Sequence, residues 1–293
     1  MANTLNLTAL PEYIEQNKEQ LFVKSTVGAR TLDYVELMLG VKHKEALNYL
    51  DSEVELQAAS CGWSPAGSDT FGQRYIEVNP VEVEKGFCYL DFKEKYMNYQ
   101  LRFEAGRETL PFEEKIAQSN VEAIKKAVET MVWQGNSGAG VTGFIADIAE
   151  VSATSVSFST GDTTVAKVDA LVAALTSEML ANGVNIFMSE TDVRNYVIES
   201  NGVCCNNRPI LDAASNEITY AGDSRIKLIP VAGLEGTGKM VADAGSLVYG
   251  TDLEGSETVY DFWFEKSEQE FRFRVLFNAG TAVKYPTRVI IGE

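Results

Sequence analysis

The sequence holds a single histidine, His43, among 293 residues. Histidine-based triads, two-histidine metal sites and most imidazole general-base designs would all have to pass through that one residue. It reads as a surface residue in the N-terminal stretch. Cysteine is scarce as well. Cys61, Cys88, Cys204 and Cys205 lack metal-ligand spacing, and the adjacent Cys204-Cys205 pair makes a poor disulfide, so all four read as reduced thiols, mostly buried. Basic charge is short: 25 Lys and Arg against 42 Asp and Glu leave a formal net charge of −17, which argues against a protein whose main task is gripping phosphate backbones. Such a surface suits solubility, or the lining of a space where nucleic acid should not stick. No apolar run reaches the length of a membrane span and the N-terminus has no basic-then-apolar signal, so synthesis in the cytosol and no membrane partner are expected. Without secretion the Asn6-Leu7-Thr8 glycosylation triplet carries no meaning. Proline is missing between Pro111 and Pro209, which leaves the middle of the chain free for regular structure.

What is present is a substantial apolar fraction, 45%, enough for one elaborate domain or two lobes. The strongest local signal is residues 110–134. Pro111 suits the first turn of a helix, and Glu113 and Glu114 suit its positive end. Ala117, Val121, Ile124, Val128 and Met131 form one apolar stripe, with Glu122, Lys125, Lys126 and Glu129 on the opposite, wet side and Gly135 as the stop. The spacing predicts a single rod long enough to cross a domain, with β-rich sequence on both sides.

Residues 1–52 read as an arm of short helices, Leu10 to Phe22 and Thr31 to Leu39, suited to packing on a neighbouring subunit. From Glu53 the period changes to two, and residues 53–86 predict a long projecting hairpin with its tip near 64–70 and Pro80 on an edge strand. Residues 87–103 continue as strand. Val151 to Phe158 is strand-like, and Val165 to Leu180 predicts a second helix stopped by Asn182-Gly183. Val184 to Met188 reads as a buried strand, and Ser189 with Asp192 as the start of a helix to about Glu199. Strands at Ile226–Val231 and Ser246–Tyr249 complete an α/β lobe over 160–252. The tail returns to strong β pattern, with Tyr260, Phe262 and Phe264 on one strand and Phe271, Phe273, Val275 and Phe277 on the next. A turn at 266–269 joins them, Arg272 and Arg274 face away from the phenylalanines, and Thr281 to Ile291 forms the last strand.

Two glycine-rich motifs tempt. Gly138-Ala139-Gly140-Val141-Thr142-Gly143 matches the dinucleotide fingerprint, but a helix precedes it and β-like sequence follows, the reverse of what the fingerprint needs. Gly233-Leu234-Glu235-Gly236-Thr237-Gly238-Lys239-Met240 imitates a phosphate-binding loop, yet Met240 stands where a magnesium-binding hydroxyl belongs and no helix follows. Acidic pairs such as Asp252/Glu254 and Glu113/Glu114 read as solvated carboxylates. The residues therefore nominate no catalytic, cofactor-binding or metal-binding site, and no enzyme activity.

Taken together these segments resemble the tailed-bacteriophage major capsid protein with the Hong Kong 97-type coat fold, an α+β architecture. Three stretches carry the resemblance. The first is the long helix ending Met131-Val132-Trp133-Gln134-Gly135-Asn136 and running into Thr142-Gly143-Phe144-Ile145. The second is the hairpin between arm and helix, and the third is the closing run from Tyr260 through Glu270-Phe-Arg-Phe-Arg-Val-Leu-Phe to Val283-Lys-Tyr-Pro. The resemblance implies an N-terminal arm (1–52), an extended loop (53–86), a peripheral domain (87–159 and 253–293) that includes the spine helix, and an axial domain (160–252). It further implies a shell subunit that assembles with itself into pentamers and hexamers in the host cytoplasm, a virion location, and enclosure of double-stranded DNA. A portal, decoration proteins and a separate scaffolding protein follow as partners, since the chain has no room for a long scaffolding segment of its own. Residues 61–73 contain no lysine, so the isopeptide cross-link of some family members is not expected. An encapsulin-type compartment shell, carrying enzyme cargo instead of a genome, is the alternative within the same fold.

Overall fold

In the computed structural model, residues 21, 29–59, 61, 66–88, 112–200, 217–252 and 259–293 are described. The expected helix over 10–22 (except Leu21, which is helical and buried), the strand region over 89–103 and the pair Cys204-Cys205 lie outside them.

The long helix is α1, Phe112–Gln134, about 34 Å at 1.5 Å per residue. All five stripe residues are buried. Glu129, expected on the wet side, is buried too, because the segment around Thr31 covers it. Gly135 ends the helix at φ 78°, and the chain turns back at once through a bridge between Asn136 and Val141. A Cβ on Gly135 would lie 2.1 Å from the Thr142 carbonyl oxygen, so only glycine fits this exit. The chain then enters a short helix, α2, Phe144–Glu150, where sequence reading expected strand.

Two sheets flank this axis. The first has five strands: β1 (Glu36–Leu39), β4 (Asn79–Cys88), β10 (Leu247–Thr251), β11 (Val259–Glu265) and β12 (Glu270–Val283). The long β12 organises it, with β4 and β11 flanking its first half and β10 pairing with its end; β1 joins β10 in parallel. Phe271, Phe273, Val275 and Phe277 face inward and share one core with α1, Trp133 and Phe144, each large side chain contributing about 2–3 kcal/mol. Arg272 and Arg274 face outward as expected and pair with Glu268 and Glu82. The second sheet has six strands in the order β5 (Thr154–Val156), β13 (Val289–Gly292), β9 (Met240–Asp243), β6 (Val184–Met188), β8 (Ile226–Pro230), β7 (Ile218–Thr219). Helices α3 (Thr164–Ala174), α4 (Ser177–Asn182) and α5 (Glu190–Ser200) share its core.

Several expectations need correction. Thr31–Leu39 is not a helix but a 3-10 turn over Arg30–Asp33 followed by β1. Val165–Leu180 is two helices, because Leu175 is extended and the Thr176 hydroxyl accepts the Met179 N–H to start α4. The tail from Thr281 is divided: β12 ends at Val283, and β13 crosses to the other sheet. Conversely β10, counted with the α/β lobe, pairs with β12. The junction is Asp243, at the end of β9, whose buried carboxylate accepts the N–H groups of Gly245 and Ser246. Cys61 and Cys88 are free as expected, but exposed.

Candidate interaction surface

The hairpin begins earlier than its sequence suggests. β2 (Lys44–Val54) pairs antiparallel with β3 (Gly67–Glu77) over eleven residues each, roughly 35 Å of ribbon, and 55–66 form the connection. So its first strand lies mostly in the stretch read as arm, and residues 79–86, read as hairpin, belong with 87 and 88 to β4 of the five-stranded sheet, an edge position that suits Pro80. Among the described side chains of β2, Leu47 alone is buried in a core, which is why alternation was faint there.

One face of the ribbon is anchored at its root. Leu47 and Ile76 are buried with Val41, Val78, Val248 and Ala282, and the Tyr49 ring meets Tyr285 edge-on at 5.8 Å. The opposite face is open. Directly opposed residues build it as a ladder: Lys44 with Glu77, Ala46 with Tyr75, Asn48 with Gln73, Leu50 with Phe71, Ser52 with Asp69. Gln73 donates to Asn48 at 2.9 Å, Ser52 donates to Asp69 at 2.6 Å, and the Lys44 ammonium lies over the Tyr75 ring. Such pairs hold register without a core. Between the polar rungs stand apolar side chains in water, Phe71 81% exposed opposite an exposed Leu50; Val54, at the end of the ribbon, is 80% exposed and Leu56, just past it, 96%. A two-stranded ribbon is marginal alone, and apolar rungs in water add nothing to it, so the geometry suits a surface covered by another chain.

A cleft of about 570 Å³ lies beside the hairpin root, lined by Arg74, Tyr75, Asn79, Thr142, Asp147 and Thr281 among others. Asp147 accepts hydroxyl hydrogen bonds from Thr142 and Thr281, and burial pushes its carboxyl above the usual range. These contacts, with the Asn79 amide donating to the Gly140 carbonyl at 2.8 Å, tie hairpin root, glycine-rich turn and β12 together. A second polar network joins the N-terminal segment to α1. The Trp133 indole donates to the Thr31 hydroxyl at 2.7 Å, which donates to Glu129; burial holds the Glu129 carboxyl above its ordinary value.

The tempting motifs resolve into structure. The turn at 138–143 follows a helix rather than a strand, although the helix after it was not foreseen. Lys239 precedes a strand and pairs with Glu293, and Gly233 packs against the α1 backbone at Glu129. His43 is exposed, as read. Asp252 is buried, not solvated; the other three of those acidic residues have side chains outside the described ones. Among the described residues no group of His, Cys, Asp and Glu could hold a metal ion, and no helix is long and apolar enough to cross a membrane. The surface that stands out is the open ribbon face, whose large apolar residues Leu50, Phe71 and Tyr75 the sequence reading missed, since no clean period-two alternation marks them.

Solved structures share this overall fold. The satellite phage P4 procapsid, which includes its size determination protein, matches with a TM-score of 0.61 at 9% identity, covering 94% of this chain and 90% of that one. The chain has the fold of tailed-phage major capsid proteins. The capsid of an empty GTA particle shares this coat fold at a TM-score of 0.56 and 10% identity (92% and 89% covered). A virus-like particle from Pyrococcus furiosus shares it at 0.54 and 12% identity (96% and 100% covered). Neither a family model nor a curated protein matches the sequence.

Proposed function

We propose that this protein is a major capsid subunit that assembles with itself into an icosahedral shell around double-stranded DNA. The observation that carries this is a coat fold whose hairpin presents an uncovered apolar face. Isologous and heterologous contacts repeated through a closed shell let many modest interfaces add up. In this reading the six-stranded lobe gathers around the five- and six-fold axes, α1 and the five-stranded sheet lie peripherally, and acidic charge keeps the packaged genome from sticking to the wall. A separate scaffolding protein, a portal and decoration proteins are the partners; the P4 procapsid includes a size determination protein.

Negative-stain microscopy of the expressed chain, with nuclease digestion and mass spectrometry of particles from the native source, tests it. Closed shells holding nuclease-protected double-stranded DNA and a minor portal subunit are expected. Shells empty of DNA but filled with one folded enzyme would make it a compartment protein, and a chain that stays monomeric at all concentrations would remove the shell altogether.

A further inference from the structure

We infer that a pair of facing glycines, Gly250 on β10 and Gly280 on β12, forms a seat that fixes the angle at which the hairpin leaves the body. The two are direct cross-strand partners. Where they meet, that rung of the five-stranded sheet carries no side chain, and the end of β3 lies down on the bare backbone. A Cβ on Gly280 would lie 2.1 Å from the Glu77 carbonyl oxygen, and one on Gly250 would lie 2.8 Å from Ile76 Cδ1 and 3.1 Å from Val78 Cγ1. Ile76 and Val78 are buried, and the Val78 N–H donates to the His43 carbonyl at 2.8 Å, so both strands of the ribbon are tied at this point.

Val78 is also where the chain changes sheets. β3 ends at Glu77 in the ribbon and β4 starts at Asn79 beside Ala279, so a single residue separates membership of the two. Strands that switch sheets do so at a bend, and the bend here is set by how deeply Glu77 and Val78 sink onto Gly280. Gly250 and Gly280 thus act as positioning residues. Lifting the root by a fraction of an ångström turns a lever whose far end, Ser52 opposite Asp69, is eight residues from Lys44 opposite Glu77, about 26 Å at ~3.3 Å per residue, so a tilt of about 5–6° displaces Ser52 by about 2–3 Å. If subunits meet through the ribbon, as the shell reading holds, that angle sets the curvature at which they meet.

The test places spin-labelled amino acids at Ser52 and Lys266 of the full chain, leaving its cysteines intact, and measures their separation by pulsed electron resonance. Gly250→Ala should shift the mean distance by about 2–3 Å. Adding Ile76→Val, which deletes the methyl that the new Cβ would strike, should restore it. Ile76→Ala alone empties the seat from the other side and should broaden the distribution. An unchanged distance in Gly250→Ala overturns the seat; should that variant fail to fold, a distribution in Ile76→Ala as sharp as the parent's overturns it. Particle diameters of the same variants test the curvature step separately. An angle that moves with parental diameters refutes that step alone, whereas a parent chain that makes no particles refutes the shell reading and leaves the seat to the distance data.

Discussion

Glu129 lies in the last turns of α1, yet its carboxylate is sealed under the Thr31 segment. Thr31→Val would strip the hydroxyl from both Glu129 and the Trp133 indole, leaving two buried polar groups short of a partner. A loss of about 2–4 kcal/mol is expected, read as a lower denaturant midpoint in urea. Asp243 permits a sharper test. Burial, opposed by the backbone N–H groups it accepts, pushes its carboxyl up to about 6. A raised carboxyl holds its proton more tightly in the folded chain, so between pH ~4 and ~6 folding takes up protons and stability falls as pH rises. Two pH units correspond to about 3 kcal/mol, and burial raises Glu129 and Asp147 in the same direction. Urea midpoints should therefore be higher near pH 4.5 than at pH 7.5, and Asp243→Asn, which keeps an acceptor for Ser246, should flatten the slope. A parent chain equally stable at both would contradict it.

At the scale of elements, α1 is the member that the fold cannot lose. Ile124→Pro removes a mid-helix hydrogen bond and displaces a buried stripe residue, at about 3 kcal/mol or more before packing losses, and should leave no soluble folded protein in expression trials. That helix was legible because its apolar residues recur at 3.6, and α5 because Ser189 and Asp192 form a reciprocal cap, each side chain or backbone of one meeting the other. β9 was not legible: Met240, Val241, Ala242 and Asp243 are all buried, so no alternation marks them. β2 was hidden for a different reason: its apolar residues fall on both faces of the ribbon, Ala46, Leu50 and Val54 on one and Leu47 and Tyr49 on the other, so no clean alternation marks it. The interaction surface was legible only as far as a projecting hairpin.

For the molecule as a whole, the open ribbon face is where folding and assembly should separate. Replacing Leu50 and Phe71 together by serine touches no buried contact, so the subunit should keep its circular dichroism and its urea midpoint within about 0.5 kcal/mol. Closed shells should nonetheless be lost in the electron microscope; shells of parental yield would show that the face is covered by nothing. Which strand joins which sheet could not be read locally at all. β10 and β13 are equally buried, and their assignment to opposite sheets depends on long-range pairing.

That assignment bears on how the protein is made. β13 lies between β5 and β9, so the six-stranded sheet stays split until Val289 emerges, long after Asp243. At about 5–20 residues per second the ribosome needs roughly two to nine seconds to bridge that interval. During that time β9 has an unpaired edge, and the lobe is open to the wrong strand. Completion of the lobe is therefore timed by the emergence of β13, the strand that joins β5 to β9.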